Sequence, residues 1–153
     1  MSSPLGDLRL IASHKGLCAV LFDDGRTSSL RYDTAVVKQL SHPLLMKAEK
    51  QLSEYFAVKR KTFDLKLDMR GTIFQQKAWK ELLKIPYGTT ISYGEQASRM
   101  GDPKKARAVG MANNRNSIAI VIPCHRVIGS DGKLVGYGGG LSLKERLLVL
   151  ESA

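Results

Sequence analysis

The sequence of 153 residues predicts an α/β chain in two parts, a small sheet-and-helix domain over residues 1–67 and a mostly helical, winged-helix-like domain over residues 68–153. Three observations predict it. Short apolar runs separated by turn residues fill the first third. Helix-start signatures dominate the remainder. A hydrophobic content of 43% is enough for a core, yet no run approaches the roughly 18–20 apolar residues needed to cross a bilayer.

Taken in order, Leu8 to Ala12 and Leu17 to Phe22 read as strands joined by a hairpin turn at Ser13-His14-Lys15-Gly16, with Asp23-Asp24-Gly25-Arg26 as the next turn. Leu44, Leu45, Ala48, Leu52, Tyr55 and Phe56 recur at helical spacing and predict a helix from Pro43 to Ala57. Thr62 to Leu67 alternates like an edge strand, and the domain boundary falls near Asp68 to Gly71. Three capping boxes follow, in which an N-cap hydroxyl and an acid or amide three residues on satisfy each other's free backbone N–H groups. Thr72 to Gln75 opens a helix through Trp79, Leu82 and Leu83 that Pro86 closes. Ser92 to Glu95 opens one from Tyr93 to Met100, and Ser142 to Glu145 opens the last, which runs to Glu151. After the break at Gly101, Asp102 as N-cap and Pro103 at the first helical position start a helix through Lys104-Lys105-Ala106-Arg107-Ala108-Val109-Gly110-Met111-Ala112, which completes a helix-turn-helix pattern.

The formal net charge is +10, and between Arg99 and Arg126 six cations (Arg99, Lys104, Lys105, Arg107, Arg115, Arg126) face the single acid Asp102. That distribution points to a polyanionic partner, nucleic acid ahead of membrane because no basic amphipathic anchor stands out. A generally basic soluble protein fits the charge alone. Cys18 and Cys124 lie far apart in sequence, which fits reduced thiols better than a disulfide framework. The start, Met1 to Asp7, has no signal pattern, so a cytoplasmic protein is expected.

Chemistry concentrates in Ile122-Pro123-Cys124-His125-Arg126-Val127, directly after the apolar run Ile118 to Ile122. A thiolate attacks far better than a thiol, and an adjacent base or positive charge pulls a cysteine pKa down, so Cys124 is the candidate nucleophile. From the Cys-His pair alone, a buried structural cysteine fits as well.

Pro123 to Val127, the helix-turn-helix before it and Gly136-Tyr137-Gly138-Gly139-Gly140-Leu141 after it together resemble the O6-alkylguanine-DNA alkyltransferase (methylated-DNA–protein-cysteine methyltransferase) family. The resemblance extends through Gly71 to Gln75, Ile85-Pro86-Tyr87-Gly88, Ser92-Tyr93 and Ala106 to Gly110, and covers essentially everything from Gly71 to Glu151. It implies an RNase H-like N-terminal domain and irreversible, stoichiometric transfer of an alkyl group from O6 of guanine in duplex DNA to one cysteine. No cofactor enters that chemistry. O4-alkylthymine is left open as a second substrate.

The matching positions imply Cys124 as alkyl acceptor, His125 taking its proton through a bound water, and Glu151 orienting the imidazole. On an extended backbone Cys124 and His125 would point apart, which favours the water over direct contact. Tyr93 would donate to guanine N3 so that the base leaves neutral. Main chain at Cys124, Val127 and Gly138 would read the guanine edge, within a loop that includes Tyr137 and Gly139 and whose glycines permit close approach. Arg107 would enter the duplex and hold the space of the flipped nucleotide. Ala106, Ala108 and Gly110 would let the helix lie close in the minor groove, and Lys104, Lys105 and Arg115 would contact phosphates. Asn116 would brace the turn between the recognition helix and an active-site strand.

The expected partner is double-stranded DNA containing O6-alkylguanine, bound by a monomer, with no membrane role. Cooperative binding along DNA is left open. Cys18, His14 and His42 are too few for the structural zinc site of some relatives. Ala119 stands where some relatives have proline, and Gly138 where some have serine, which implies altered handling of benzyl relative to methyl adducts. Two other classes remain to be separated: a non-enzymatic protein that recognises alkylated bases and recruits partners, and a cysteine hydrolase, which would turn over repeatedly.

Overall fold

A computed structural model describes residues 1–22, 42–137 and 140–153. The turn expected at Asp23 to Arg26 lies outside the described residues, as do Gly138 and Gly139. The chain divides into two compact units, Met1–Met69 and Arg70–Ala153.

In the first unit, β1 (Leu8–Ala12) and β2 (Leu17–Phe22) form an antiparallel hairpin that pairs Leu10 with Val20, with an irregularity between Ile11 and Ala12. Every residue of β2 is buried. Helix α1 (Pro43–Phe56) presents Ala48, Leu52 and Tyr55 to the interior. Its N-terminus is capped by His42, whose Nδ1 accepts from Leu44 N at 3.2 Å. Pro43 at the first helical position has no N–H to leave unsatisfied.

The edge strand expected over Thr62 to Leu67 does not form. Only an isolated parallel bridge joins Leu17 to Leu67. The reason is that side chains take the backbone groups a ladder would need. Both Gln51 amide atoms bind the Asp64 main chain, at 2.9 and 3.1 Å, and Arg60 donates to Thr62 O.

The second unit opens with α2 (Ile73–Leu82), where Thr72 and Gln75 form the complete reciprocal capping box. Gly71 sits before it because a Cβ there would lie 2.7 Å from both Gln75 Oε1 and Trp79 Cζ3. The Trp79 indole donates to Ala112 O at 2.9 Å and so ties α2 to the helix that carries Ala112. Helix α3 (Tyr93–Arg99) follows the two-residue strand β3 (Ile91–Ser92). Ser92 accepts from Glu95 N, but the Glu95 carboxylate pairs with Arg99 instead of closing the box.

Gly101, at φ 104°, ends this first helix of the pair. Asp102 then caps a 3₁₀ turn over Pro103–Lys105, and α4 (Ala106–Asn114) continues from it, so the second helix begins later than the sequence predicts. A buried amide pair locks α3 to α4. Gln96 Nε2 donates to Asn113 Oδ1 at 3.1 Å, and Asn113 Nδ2 donates to Gln96 Oε1 at 2.8 Å.

Beyond α4 the chain makes a buried, irregular passage, a 3₁₀ turn over Cys124–Arg126, and β4 (Val127–Ile128), which pairs in parallel with β3. The last helix, α5 (Leu141–Glu151), starts after Gly140 at φ 98° and has no side-chain cap, so the box expected at Ser142 to Glu145 is not made. The chain is α/β, with a small N-terminal sheet and a mostly helical second part, as predicted.

Candidate active site

No strand leads into Cys124. From Ile118 to Pro123 the backbone turns sharply twice while remaining buried. Val121 N donates to Ala119 O at 2.8 Å across Ile120, a γ-turn whose centre lies at φ 72°, a strained conformation for a β-branched residue. Cys124 N donates to Ile122 O at 2.8 Å across Pro123, at φ −83° and ψ 65°, the commoner inverse γ-turn. Ile118, Ile120 and Ile122 fill the interior beneath. A run that reads as a strand is therefore a tight buried scaffold, and strain of this kind concentrates at functional sites.

Asn116 fastens the scaffold. Its Nδ2 donates to Ile122 O at 2.9 Å and to Cys124 Sγ at 3.3 Å, and its Oδ1 accepts from Ile118 N at 3.0 Å. Burial pushes the Cys124 thiol above its ordinary pKa, against the opposing pull of the Asn116 hydrogen bond and the Lys144 charge. The expectation that neighbouring positive charge lowers this pKa is overturned, because the cost of desolvating a thiolate is the larger effect. Cys124 rests as a thiol and needs a base at the moment of reaction.

His125 follows within the 3₁₀ turn, not on extended backbone as expected, and it is fully buried. Its Nε2 lies 2.7 Å from Glu151 Oε1, while Nδ1 is buried and meets no protein partner among the described residues. Burial lowers the His125 pKa, although the Glu151 hydrogen bond opposes this. Burial also resists ionisation of Glu151, but hydrogen bonds from His125 and Arg126 and the Arg126 charge overcome it and hold the carboxyl at about 2. An ionised Glu151 against Nε2 implies the tautomer with hydrogen on Nε2 and a free lone pair on Nδ1.

Arg126 was expected on the phosphate-facing surface with its basic neighbours. It is instead buried. Nε donates to Glu151 Oε2 at 2.9 Å, Nη2 to Oε1 at 2.8 Å, and Nη1 to Ile85 O at 2.8 Å. Its guanidinium also lies 5.7 Å from the centre of the Tyr87 ring.

Lys144 is a second residue that the sequence reading missed. Its Nζ, fully buried, donates to Val135 O at 2.9 Å and to Gly136 O and the Tyr93 hydroxyl, each at 3.3 Å. Burial lowers its pKa to about 8, with Cys124 opposing. A signal for it did exist. Lys144, Leu147 and Glu151 recur at i, i+3 and i+7, one face of one helix, which is the buried face of α5.

Tyr93 begins α3 and donates to Val135 O at 2.8 Å. Burial raises its pKa to about 12, with the Cys124 charge adding to the effect. Gly110 lies against its ring, where a Cβ would stand 3.6 Å from Cδ1 and Cε1. Gly110 and Ala106 are half-buried, whereas Lys104, Lys105, Arg107, Ala108 and Arg115 are exposed on one stretch of 3₁₀ turn and helix. Lys105 Nζ stands 5.7 Å over the Phe74 ring. Val127 is buried in β4, and Tyr137 is half-buried in the loop before α5.

The structure thus brings Cys124, His125, Glu151, Asn116 and Tyr93 together with the unanticipated Arg126 and Lys144, and leaves the helix-turn-helix cations open to solvent. Among the described residues no group of three His, Cys, Asp or Glu converges to hold a metal ion. No helix among them is long and apolar enough to cross a membrane.

Comparison with known proteins gives the same outline. Residues 73–153 match the family described as 6-O-methylguanine DNA methyltransferase, DNA binding domain, and residues 1–69 match the family's ribonuclease-like domain. The chain is 48% identical over 151 residues to a methylated-DNA–protein-cysteine methyltransferase of Methanosarcina acetivorans, covering 99% of this chain and 95% of that one. It is similar to the solved O6-methylguanine methyltransferase of Mycobacterium tuberculosis, at 46% identity and a TM-score of 0.85, over 99% of this chain and 90% of that one. A structure of Mycobacterium tuberculosis OGT in complex with DNA gives the same TM-score at 48% identity, over 99% and 90% of the two chains. With both parts of the chain matched and near-complete coverage of relatives at this identity, the chain belongs to the 6-O-methylguanine DNA methyltransferase family.

Proposed function

We propose that this protein repairs duplex DNA by transferring the alkyl group of O6-alkylguanine irreversibly to Cys124, one group per molecule. The observation that carries the reading is the pairing of a buried, neutral thiol with a buried histidine whose Nε2 is held by an ionised glutamate. That arrangement leaves one basic nitrogen, His125 Nδ1, for the thiol proton.

The exposed cations Lys104, Lys105 and Arg115 bind phosphates, and Arg107 enters the minor groove to replace the flipped nucleotide. The Cys124 proton passes through one water to His125 Nδ1. The sulfur attacks the alkyl carbon, the new C–S bond forms as the C–O6 bond breaks, and the electron pair goes to the guanine. Tyr93 donates its proton to N3 so that guanine leaves neutral. To do so its hydroxyl must release Val135 O, and Lys144, already donating to the Tyr93 oxygen, eases the negative charge left there. The main chain at Val127 and the glycine-rich loop of Tyr137, Gly138 and Gly139 read the base, and Asn116 holds Cys124 in place. Residues 68–153 carry the DNA contacts and the thiol, residues 1–67 form the accompanying RNase H-like domain, and the protein acts as a cytoplasmic monomer.

A thioether has no low-energy route back to thiol, so the reaction is stoichiometric. Intact-mass analysis after mixing with excess duplex carrying O6-methylguanine is expected to show one added methyl, mapping to Cys124 and absent in Cys124→Ala. An unmodified protein that still binds the lesion would overturn this reading in favour of damage recognition. Repeated turnover would favour a hydrolase.

A further inference from the structure

His125 and Glu151 alone would make an ordinary imidazole–carboxylate pair, in which the carboxylate draws a proton onto the ring. Here a third group competes for the same carboxylate. Arg126 binds Glu151 through two guanidinium nitrogens, at 2.8 and 2.9 Å, and one of these bonds goes to Oε1, the oxygen that also faces His125 Nε2 at 2.7 Å. Arg126 is itself fixed from behind by Ile85 O at 2.8 Å, so it cannot swing away without leaving that carbonyl and its own charge unpaired. Gly88 N adds a weaker contact to Oε2 at 3.4 Å.

Burial is the first reason that His125 stays neutral, and the charge count acts with it. His125 is 0% exposed, Glu151 4% and Arg126 6%. In so dry a cluster, Arg126 and Glu151 cancel while His125 is neutral. A proton on His125 would leave a net positive charge away from water, with the Lys144 ammonium adding to the repulsion from α5. Among the described residues the charged side chains that act on the ring are Glu151, Arg126 and Lys144. Glu151 and Lys144 come from α5, and Arg126 and the neutral Cys124 from its own turn. The Tyr87 ring stands against Arg126, and its hydroxyl, which donates to Leu150 O at 3.5 Å, feels the charges of Glu151 and Arg126.

We propose that Arg126 is a positioning residue that neutralises Glu151 by a two-point ion pair, and thereby keeps His125 uncharged and ready to receive the Cys124 proton at neutral pH. Glu151 then orients the base without charging it. This assignment rests on the alkyl-transfer reading for its purpose, but not for its test.

The test follows the ring-carbon NMR signals of the three histidines, His14, His42 and His125, against pH in the DNA-free protein, with His125→Ala identifying the signal of interest. In the wild type, His125 is expected to be uncharged at pH 6.5, where an ordinary histidine is half protonated. Arg126→Met should leave it mostly protonated at that pH, and Arg126→Met with Glu151→Gln should return it to the uncharged form. Arg126→Lys keeps the charge and is expected to stay close to the wild type.

The matching functional readout is the pH profile of methyl transfer from an O6-methylguanine duplex. Its acid limb should move up by about two pH units in Arg126→Met, a roughly tenfold loss at pH 6.5 that recovers at higher pH. A wild-type His125 protonated at pH 6.5 would overturn the proposal, as would an Arg126→Met profile lowered uniformly with no change of shape. If Arg126→Met does not fold, the wild-type and Arg126→Lys titrations decide, since a protonated His125 in either contradicts the charge argument. Because the titration uses no DNA, it holds or fails independently of what Cys124 reacts with.

Discussion

Asn116 joins three points of the active-site passage through one side chain: a backbone N–H at Ile118, a carbonyl at Ile122 and the thiol of Cys124. Asn116→Leu would orphan the first two in a partly buried setting and remove the hydrogen bond that favours the thiolate. The expected cost is about 2–3 kcal/mol of stability by urea unfolding, with at least a tenfold slower methyl transfer. A variant that loses stability but transfers at the wild-type rate would show that Asn116 is a fold brace only. Gly71→Ala makes a separate prediction far from the thiol. The new methyl would meet the Trp79 ring and Gln75 Oε1, and overpacking against a buried indole costs about 1–3 kcal/mol, visible as a lowered melting temperature. At this scale Cys124 and His125 stood out because their chemistry is tied to residue type, whereas Glu151, by itself an ordinary last-turn acid, was singled out only through the family resemblance. Arg126 was not legible, because sequence alone gives a cation no burial and surface is the ordinary place for one, and Lys144 was betrayed only by sharing a helix face with Leu147 and Glu151.

Elements declared by a local, self-contained signal came out as read, whereas those that depend on competition for backbone groups did not. The Thr72 to Gln75 box formed because both partners are free to close it. At Ser92 the Glu95 carboxylate was drawn to Arg99 one turn on, and at Ser142 the helix had already begun one residue earlier. Thr62 to Leu67 alternates like a strand, yet Gln51 and Arg60 hold its main chain. Ile118 to Ile122 is apolar enough for a strand and is folded into turns. The union of α3 and α4 turns on the Gln96–Asn113 amide pair, which no periodicity reveals. Gln96→Leu alone leaves the Asn113 amide buried without its partner and is expected to cost about 2–3 kcal/mol. Adding Asn113→Leu should recover part of that loss, which a double-mutant cycle by urea unfolding would measure. Strict additivity of the two losses would mean that the pair does not act as a unit.

For the molecule as a whole, charge sets both acid tolerance and the manner of DNA binding. Glu151 is held at about 2 against an ordinary 4.5, so its contribution is complete above pH 4.5 and lost as pH falls towards 2, a loss of about 3 kcal/mol. His125, with its pKa lowered, acts in the same direction. Below pH 6.5 the unfolded chain takes up a proton that the folded one refuses, so stability falls with pH there too. Urea midpoints should therefore decline from pH 6.5 downwards, and Glu151→Gln should flatten the curve below pH 4.5. The net charge of +10 has a different consequence, because its cations are not equivalent. Lys104, Lys105, Arg107 and Arg115 are exposed and free to displace counterions from phosphate, whereas Arg126 and Lys144 are committed to internal partners. On unmodified duplex, the slope of log affinity against log salt is expected to shrink by about 0.9 for each of Lys104→Ala, Lys105→Ala and Arg115→Ala. Arg126→Met should leave that slope unchanged, since a buried guanidinium releases no counterion. Arg107→Ala should reduce the slope and also slow methyl transfer at saturating DNA, because an arginine that fills the gap of a flipped nucleotide acts after binding. Equal slopes for all five proteins would remove the phosphate-facing assignment of the helix-turn-helix, while a loss confined to the exposed four would separate the cations that hold DNA from the one that holds the site.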